Sequence, residues 1–476
     1  MIARLAVRSL LMHPVRTAVL AGGFGLGVAV MANLLGVAGV VLEQSQSPAL
    51  AGGGDVVLTG ATGRLTSARY LLWGALGAPS FADRVAVASP TRRANVYLVQ
   101  DGVTTRLRAR AGIPSLERAL NDPETAGSNA WVDTPADKAW VSPDPGEVLR
   151  SLDRFHPIPD VPARAGSWTE WLYFNGQAGP TRFYLTFLVG PLRENGRRVA
   201  GVRLQLDRAG RVSTYGEAAE VDPGDVLATA PDLTIGRSHV RVEGERYVVS
   251  FDLQGDVRND RPAGARRRPG GSQAIGEIVL AARRGHTLPP LSIAGARGWV
   301  SGYVVPVMSG MVDGTIRVDD EVVSLAGGTG YHDHNWGFWE GVSWQWGQVQ
   351  HEGLSILFGR VFPPEDAADA SRIPGFMVVL GPDGPLGQAT RVTIEETIDA
   401  ALDRPSRIVV RGNSPSLELR MDIDVESGVR TPMTGGPLAS GLDFLQLRGR
   451  YRVSGTAGDR PLDFVADGAA ETFRGR

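Results

Sequence analysis

From Ser167 onwards, large apolar residues recur at every second position, in short runs that are separated by turn residues. Successive side chains of a strand point to opposite faces, so this period of two predicts strands that are apolar on one face. Regularly spaced short strands are typical of a sandwich or a barrel. The first series of predicted strands comprises Trp168–Asn175, Thr181–Gly190, Val199–Leu206, Ser238–Val242, Tyr247–Leu253, Glu277–Ala282, Gly298–Val305 and Gly314–Val318.

A second series of the same kind begins at Ser343. Each series offers about eight strands, which is enough to close a small barrel that can hold one ligand. The sequence therefore predicts two consecutive barrels. The strands of the second series are Ser343–Gln350, Leu354–Val361, Gly375–Leu380, Arg391–Glu396, Arg407–Arg411, Leu417–Ile423, Leu445–Val453 and Pro461–Arg474.

The N-terminal segment has the pattern of a membrane anchor. Residues 17–42 carry no charge, and this run exceeds the roughly 20 residues that cross a bilayer. Three arginines precede the run and Glu43 follows it, which favours a cytoplasmic N-terminus. We expect residues 1–43 to form a cytoplasmic tip and a single-pass helix in a bacterial inner membrane, with the bulk of the chain outside the cytoplasm.

Two alternatives to a retained anchor stay open. The apolar run is also compatible with a buried core helix, and Ala49-Leu50-Ala51 has the small-x-small form of a signal-peptide cleavage site. Residues 44–165 combine short predicted helices and strands with Pro-rich linkers, and we interpret them as a small extracytoplasmic α+β adaptor. Within it, Asp144-Pro-Gly-Glu147 predicts the start of a helix whose apolar positions are Val148, Leu149, Leu152 and Phe155.

Composition excludes several kinds of chemistry. The chain has no cysteine, so disulfides, thiolate catalysis and Cys-ligated metal centres are excluded. A net charge of -2 gives no electrostatic basis for binding nucleic acid, which we do not expect as a partner. No cofactor is expected.

Polar and aromatic residues concentrate in the stretch from Gly327 to Gly337, which reads GGTGYHDHNWG. If this stretch is a strand, one face carries Tyr331, Asp333 and Asn335, and the other carries His332, His334 and Trp336. Glycines on both sides allow bulges and close backbone approach.

Four short motifs resemble known families. EWLYFNG at 170–176, GYHDHNWG at 330–337, the Trp-rich strand that follows it and ETFRG at 471–475 resemble the AttH/CrtC family, which includes carotenoid 1,2-hydratases (hydroxyneurosporene synthases). This resemblance implies a tandem lipocalin-like fold, with barrels at residues 166–325 and 326–476. The first 60 residues resemble the first transmembrane helix of FtsX/MacB-type permeases. Because AttH-type proteins accompany ABC transporters, the resemblance also implies permease and ATPase subunits as partners.

The resemblance and the residue chemistry imply two functions. The first is binding of an apolar or lipid-like molecule at the membrane. The alternative is a hydro-lyase that adds water to an isoprenoid C=C bond, with Asp333 as the general acid and Tyr331 beside it. A carboxyl group in an apolar barrel has a raised pKa and can stay protonated. The expected ligand-binding residues are His332, His334, Asn335, Trp336, Trp344, Trp346, Trp171 and Tyr173.

A metal site is a weaker hypothesis for the same stretch. His332 and His334 lie on one strand face, and His351 lies one predicted strand away, which resembles part of a zinc ligand set. No fourth ligand has a matching spacing. We therefore expect hydrogen-bonded histidines and no metal.

Overall fold

The computed structural model describes residues 68–122, 130–141, 143–255, 272–432 and 442–475, together with Val15, Gly54, residues 56–58 and Thr125. The predicted membrane segment at 17–42 lies outside these residues. Among the residues that are described, no helix is long and apolar enough to cross a bilayer. The helices are α1 (Ala68–Tyr70, continued by the π-helical turn Leu71–Ala75), α2 (Pro79–Ala82), α3 (Pro114–Ala119), α4 (Pro135–Val141), α5 (Pro145–Leu152) and α6 (Pro223–Thr229).

The chain divides into two compact units. In the described part of the smaller unit, β1 (Arg92–Gln100) and β2 (Val103–Ala111) form an antiparallel hairpin, followed by α3 and α4. The larger unit contains all the remaining strands, and it also takes in residues 68–86 and α5. Two parts of the predicted adaptor, residues 68–86 and 143–165, therefore belong to the larger unit.

The first sheet of the larger unit is a closed antiparallel barrel. Its strand order is β10-β12-β14-β3-β4-β5-β6-β9, and β9 pairs with β10 to complete the ring. Its strands are β3 (Trp168–Ala178), β4 (Thr181–Leu192), β5 (Arg198–Arg208), β6 (Arg211–Val221), β7 (Thr234–Ile235), β8 (Ser238–Glu243), β9 (Arg246–Gly255), β10 (Gln273–Ala281), β11 (Leu288–Ala294), β12 (Val300–Val318), β13 (Glu321–Ser324) and β14 (Gly328–Phe338).

The second sheet is open, which corrects the expectation of a second closed barrel. Its order is β18-β17-β16-β15-β23-β22-β21-β20-β19, and the described residues of the edge strands β18 and β19 do not pair with each other. Pro385 lies in β18, where an edge position tolerates a residue that has no backbone N–H group. The strands are β15 (Ser343–His351), β16 (Leu354–Phe362), β17 (Phe376–Gly381), β18 (Gly384–Ala389), β19 (Arg391–Asp399), β20 (Arg404–Ser414), β21 (Leu417–Pro432), β22 (Leu442–Ala457) and β23 (Arg460–Gly475).

The strand that carries the polar stretch belongs to the first sheet. We placed residues from 326 onwards in the second barrel, but β14 pairs with β3 and β12 along its length. The change of sheet falls between Phe338 and Ser343. β14 therefore lies in the wall of the closed barrel.

The closed barrel has a packed interior. Trp168, Phe174, Phe187 and Trp299 are fully buried there, and the apolar face of α5 joins the same core. The predicted helix start at Asp144 is confirmed, because its side chain accepts a hydrogen bond from the backbone N–H of Glu147 at 2.9 Å. The predicted apolar positions of this helix and of the residues after it are also confirmed as buried: Val148, Leu149, Leu152 and Phe155.

The outer wall of the barrel packs against one face of the open sheet. Tyr173, Tyr331 and Met308 from the barrel share a buried cluster with Trp346 and Leu357 from the open sheet. The opposite face of the open sheet has its own apolar core. The layer between the two sheets thus has residues of β14 on one side and residues of β15, β22 and β23 on the other.

Candidate functional site

β14 separates two groups of polar residues, because its side chains alternate between the two faces of the barrel wall. Tyr331 and Asp333 point outward to the open sheet, whereas His332 and His334 point into the barrel. All four are buried. The alternation predicted from the sequence is therefore confirmed, and each face has its own chemistry.

A chain of hydrogen bonds begins at Asp333 on the outer face. Tyr331 donates its O–H to Asp333 Oδ2 at 2.8 Å, and its hydroxyl oxygen is 2.5 Å from that of Tyr303 on β12. Trp346 on β15 donates its indole N–H to the Tyr303 hydroxyl at 3.1 Å. Asn335 donates to Asp333 Oδ1 at 2.9 Å. The chain connects the barrel wall to the open sheet.

A second buried carboxyl group faces Asp333 from the open sheet. Glu471 on β23 accepts a hydrogen bond from Gln446 Nε2 at 3.2 Å, and the same amide nitrogen donates to the hydroxyl of Tyr173 at 2.9 Å. The ring of Tyr173 lies edge-on to those of Tyr331 and Trp346. We call the group formed by Tyr173, Tyr303, Tyr331, Asp333, Trp346, Gln446 and Glu471 the inter-sheet layer.

Burial favours the neutral form of both acids of the inter-sheet layer. Burial raises the pKa of Asp333 well above its usual range, the nearby Glu471 raises it further, and the hydrogen bond from Tyr331 offsets only part of this rise. Burial also raises the pKa of Glu471 to about 7. In the part of the chain that the structure describes, no basic nitrogen lies within 4.0 Å of either carboxyl group.

The tyrosines of the layer are neutral as well. Burial raises the pKa of Tyr173, Tyr303 and Tyr331 well above 10, and the neighbouring acids add to the shift. Their hydroxyl groups therefore act as hydrogen-bond donors and acceptors and not as bases. A protonated carboxyl group among neutral donors and aromatic rings can donate a hydrogen bond or a proton to a bound molecule.

Aromatic rings continue the layer at one end. Trp171 on β3 lies 4.7 Å from Trp339 and 5.5 Å from Trp344, measured between ring centroids. Trp344 stacks on Phe473 of β23 at 4.9 Å. This end of the layer offers ring faces and edges, which suit apolar or cationic groups.

Charges and a small cavity lie at the other end. Arg182 and Asp207 of the barrel alternate with Arg448 and Asp467 of the open sheet, at nitrogen–oxygen distances of 3.3 to 3.5 Å. A cavity of about 40 Å³ is lined by two of these residues, Arg182 and Asp467. It is large enough for one or two water molecules. Its lining includes Asn175, Tyr184, Gln348 and Gln350.

The inner face of β14 carries a different constellation. His332 Nε2 lies 2.8 Å from Asp153 Oδ2, and His334 Nδ1 lies 3.0 Å from Asp153 Oδ1. His334 Nε2 lies 3.0 Å from Glu170 Oε1, which is also 2.7 Å from His156 Nδ1. We call these five residues the histidine cluster. Asp153 and His156 come from the segment after α5, so the cluster fixes that segment to the barrel.

Opposite charges stabilise the histidine cluster. Burial alone would lower the pKa of His334, but Asp153 and Glu170 outweigh it and raise the pKa to about 9. Burial likewise opposes ionisation of the two carboxyl groups, yet the neighbouring histidines keep the pKa of Asp153 and of Glu170 below their usual ranges. At neutral pH the cluster therefore contains two carboxylates and an imidazolium.

Trp336 completes the inner face by lying over a glycine. Its ring stacks on His156 at 4.2 Å, and it occupies the space above Gly302, its partner on β12. A Cβ atom on Gly302 would lie 2.0 Å from Trp336 Cε2. The absence of a side chain at position 302 therefore sets the position of the indole.

We expect Gly302→Ala to lower the free energy of unfolding by about 1–3 kcal/mol, because the added methyl group overpacks the site and displaces Trp336. Chemical denaturation followed by tryptophan fluorescence measures this change. Gly190→Ala is the matched control, since a Cβ there would meet nothing closer than 3.5 Å. Equal stability of the two variants would contradict the packing described for Trp336.

The structure brings together only some of the residues that the sequence predicted for one site. Tyr331, Asp333, Asn335, Trp346 and Tyr173 meet in or beside the inter-sheet layer. Trp171 and Trp344 lie at its aromatic end. His332, His334 and Trp336 lie on the opposite face of the strand.

Residues from distant segments, which no sequence pattern predicted, reach the two faces of β14. Tyr303, Gln446 and Glu471 complete the outer group, and Asp153, His156 and Glu170 complete the inner one. Glu170 and Glu471 lie within two of the motifs that carried the family resemblance. Their position within those motifs was the sequence signal that could have identified them as site residues.

Fold and site define a protein of two packed β-sheets with a buried acid site between them. No family model matches the chain, and no curated protein matches it. Among solved structures, the chain is similar to a protein from Nitrosomonas europaea described as a candidate AttH, with a TM-score of 0.43 and 15% identity over 64% of this chain and 92% of that one. It is also similar to CghA with Sch210972, with a TM-score of 0.41 and 12% identity over 68% and 94% of the two chains.

Proposed function

We propose that this protein binds a small, largely apolar molecule in the inter-sheet layer, where Asp333 and the tyrosine hydroxyls hydrogen-bond to its polar group. The observation that carries the proposal is the pair of buried acids, Asp333 and Glu471, which face each other among aromatic rings without a basic partner within 4.0 Å in the described chain. Burying carboxyl groups costs stability, and the hydrogen bonds from Tyr331, Asn335 and Gln446 offset this cost only in part, since both pKa values stay raised. A role in ligand binding accounts for the presence of these two buried acids.

The interior of the closed barrel is a less suitable site for such a ligand. It is filled by large side chains such as Trp168 and Trp299, and α5 packs against the same core. The inter-sheet layer has a cavity on its solvent side. Its volume of about 40 Å³ admits water but not a long apolar chain. Ligand entry therefore requires some separation of the sheets.

Extraction of the purified full-length protein with organic solvent, followed by mass spectrometry, tests ligand binding. We expect an apolar compound that co-purifies with the wild type and is depleted in Asp333→Leu, whose side chain has a similar shape but cannot form hydrogen bonds. Asp463→Leu is the control, because Asp463 is exposed on β23. An extract without a bound compound, or the same yield from Asp333→Leu and wild type, would contradict the proposal.

A second candidate function is the addition of water to an isoprenoid C=C bond, and the protonated state of Asp333 specifically favours it. In this reaction the carboxyl group of Asp333 transfers its proton to one alkene carbon, and a tertiary carbocation forms at the other. Water adds to the cation, and the proton that it releases returns to the Asp333 carboxylate. Tyr331 holds the carboxyl group, and Trp346 presents an aromatic ring close to the cation.

We further propose that residues 17–42 anchor the protein in the inner membrane beside an ABC-type transporter. The uncharged run and the preceding arginines support this topology. Fusions of alkaline phosphatase and of green fluorescent protein after Gly60 test it. We expect an active phosphatase and a dark fluorescent protein, and the reverse result would reject the orientation.

A further inference from the structure

The histidine cluster has the composition of a metal site. Within it, one nitrogen of His156, one of His334 and one carboxylate oxygen of Glu170 all lie within 4.8 Å of one another. Glu170 Oε1 is the shared point, at 2.7 Å from His156 Nδ1 and 3.0 Å from His334 Nε2. The ligand set considered from the sequence does not come together. It comprised His332, His334 and His351, but His351 stacks on Phe464.

Two imidazoles and one carboxylate are a ligand set that zinc prefers when a fourth position is taken by water or substrate. His156 and Glu170 are separated by 14 residues, and His334 by a further 164. The site is therefore assembled by the fold and not by a local motif. Binding of a divalent cation would displace the proton between His334 Nε2 and Glu170 Oε1, and the cation would then offset the charges of the two carboxylates of the cluster.

Two outer residues lie behind one of the three ligands, His334. Asp153 Oδ1 lies 3.0 Å from Nδ1 of His334, on the opposite side of the ring from the nitrogen that faces Glu170. Asp153 is held in turn by His332, whose other nitrogen lies 2.9 Å from the carbonyl oxygen of Tyr173. A carboxylate behind a ligating histidine is the usual outer partner at protein zinc sites.

The cluster is also accessible from solvent. Glu170 and His334 are fully buried, but the His156 side chain is 29% exposed. Its ring is held by stacking on Trp336 and by a hydrogen bond from its own backbone N–H to Glu170. A cation can therefore reach the buried ligands by way of His156.

We propose that His156, Glu170 and His334 bind one divalent cation of the zinc class, with Asp153 and His332 as outer partners. This site lies on the inner face of β14 and is independent of the function proposed for the inter-sheet layer. His156 and Glu170 also fix the segment after α5 to the barrel, so the ion would join that segment to β3 and β14.

Titration of the full-length protein with ZnCl₂ tests this proposal, with a purification tag that contains no histidine and after removal of metals by EDTA and dialysis. We expect one zinc per chain by calorimetry and by elemental analysis. His156→Phe should weaken binding at least tenfold, while its ring still stacks on Trp336. His351→Phe is the matched control, because His351 is similarly exposed and also stacks on an aromatic ring.

Circular dichroism and the thermal midpoint without metal establish that each variant is folded. Co²⁺ supplies a second readout, since it should give visible absorption bands with the wild type and with His351→Phe but not with His156→Phe. Absence of stoichiometric zinc binding by the wild type would overturn the proposal. Equal zinc affinity of His156→Phe and the wild type would overturn it as well.

Discussion

Asp333→Asn should lower the hydration of an isoprenoid alkene by about 10²–10⁴-fold, which is the usual contribution of a general acid. The carboxamide has nearly the shape of the protonated carboxyl group and can still accept the hydrogen bond from Tyr331. It has no acidic proton to transfer. Because burial keeps Asp333 neutral, the substitution changes no charge at neutral pH. We expect a cost of about 1 kcal/mol, since Asn335 loses one acceptor.

The assay uses full-length protein with lycopene or neurosporene, and mass spectrometry detects the gain of one water. Asp463→Asn should match the wild type, because its side chain is exposed and remote from the layer. Product from Asp333→Asn at the wild-type rate would exclude Asp333 as the acid. No product from the wild type with either substrate would leave ligand binding as the function of the layer.

Glu471→Gln should make the protein more stable at alkaline pH. The folded state raises the pKa of Glu471 from 4.5 to about 7, so the folded protein binds this proton more tightly than the unfolded chain does. The stability associated with the proton is fully present below pH 4.5 and is lost as the pH rises to about 7. At 1.36 kcal/mol per pKa unit, the loss amounts to about 3 kcal/mol. The glutamine side chain of the variant cannot ionise and avoids this loss.

Urea denaturation of the full-length protein at pH 5 and pH 8 measures the effect. We expect Glu471→Gln and the wild type to differ little at pH 5, and the variant to be more stable at pH 8. Glu418→Gln, at an exposed position of β21, is the control and should follow the wild type. A wild type that gains stability relative to Glu471→Gln between pH 5 and pH 8 would show that the fold lowers the pKa of Glu471, and would contradict this prediction.

Local patterns predicted most strands of the two sheets, but they missed β6, β7, β11, β13 and β18 and divided β12 into two strands. The alternation from Trp168 predicted β3, and the acids and proline around Asp144 predicted the start of α5. The two faces of β14 were also predicted correctly, because a period of two fixes which residues share a face. These features depend on neighbouring residues in the chain.

Pairing between distant strands could not be predicted in the same way. Closure of the first barrel depends on β9 meeting β10, and the second sheet stays open because its edge strands do not meet in the described chain. Strand number alone does not decide closure. The residues of the site could not be predicted for the same reason. Glu471 reaches the inter-sheet layer from the last strand, β23. Asp153 reaches His332 from the segment that was predicted to be an adaptor.

Measuring the protonation state of Asp333 at neutral pH tests the proposed role of the inter-sheet layer most directly. Infrared difference spectra of the wild type and Asp333→Asn at pH 7 isolate the carbonyl stretch of this side chain. We predict the band of a protonated carboxyl group, present in the wild type and absent from the variant. Bands of a carboxylate at pH 7 would show that Asp333 is ionised between the sheets, and would contradict both its role as an acid and its role as a neutral hydrogen-bond donor.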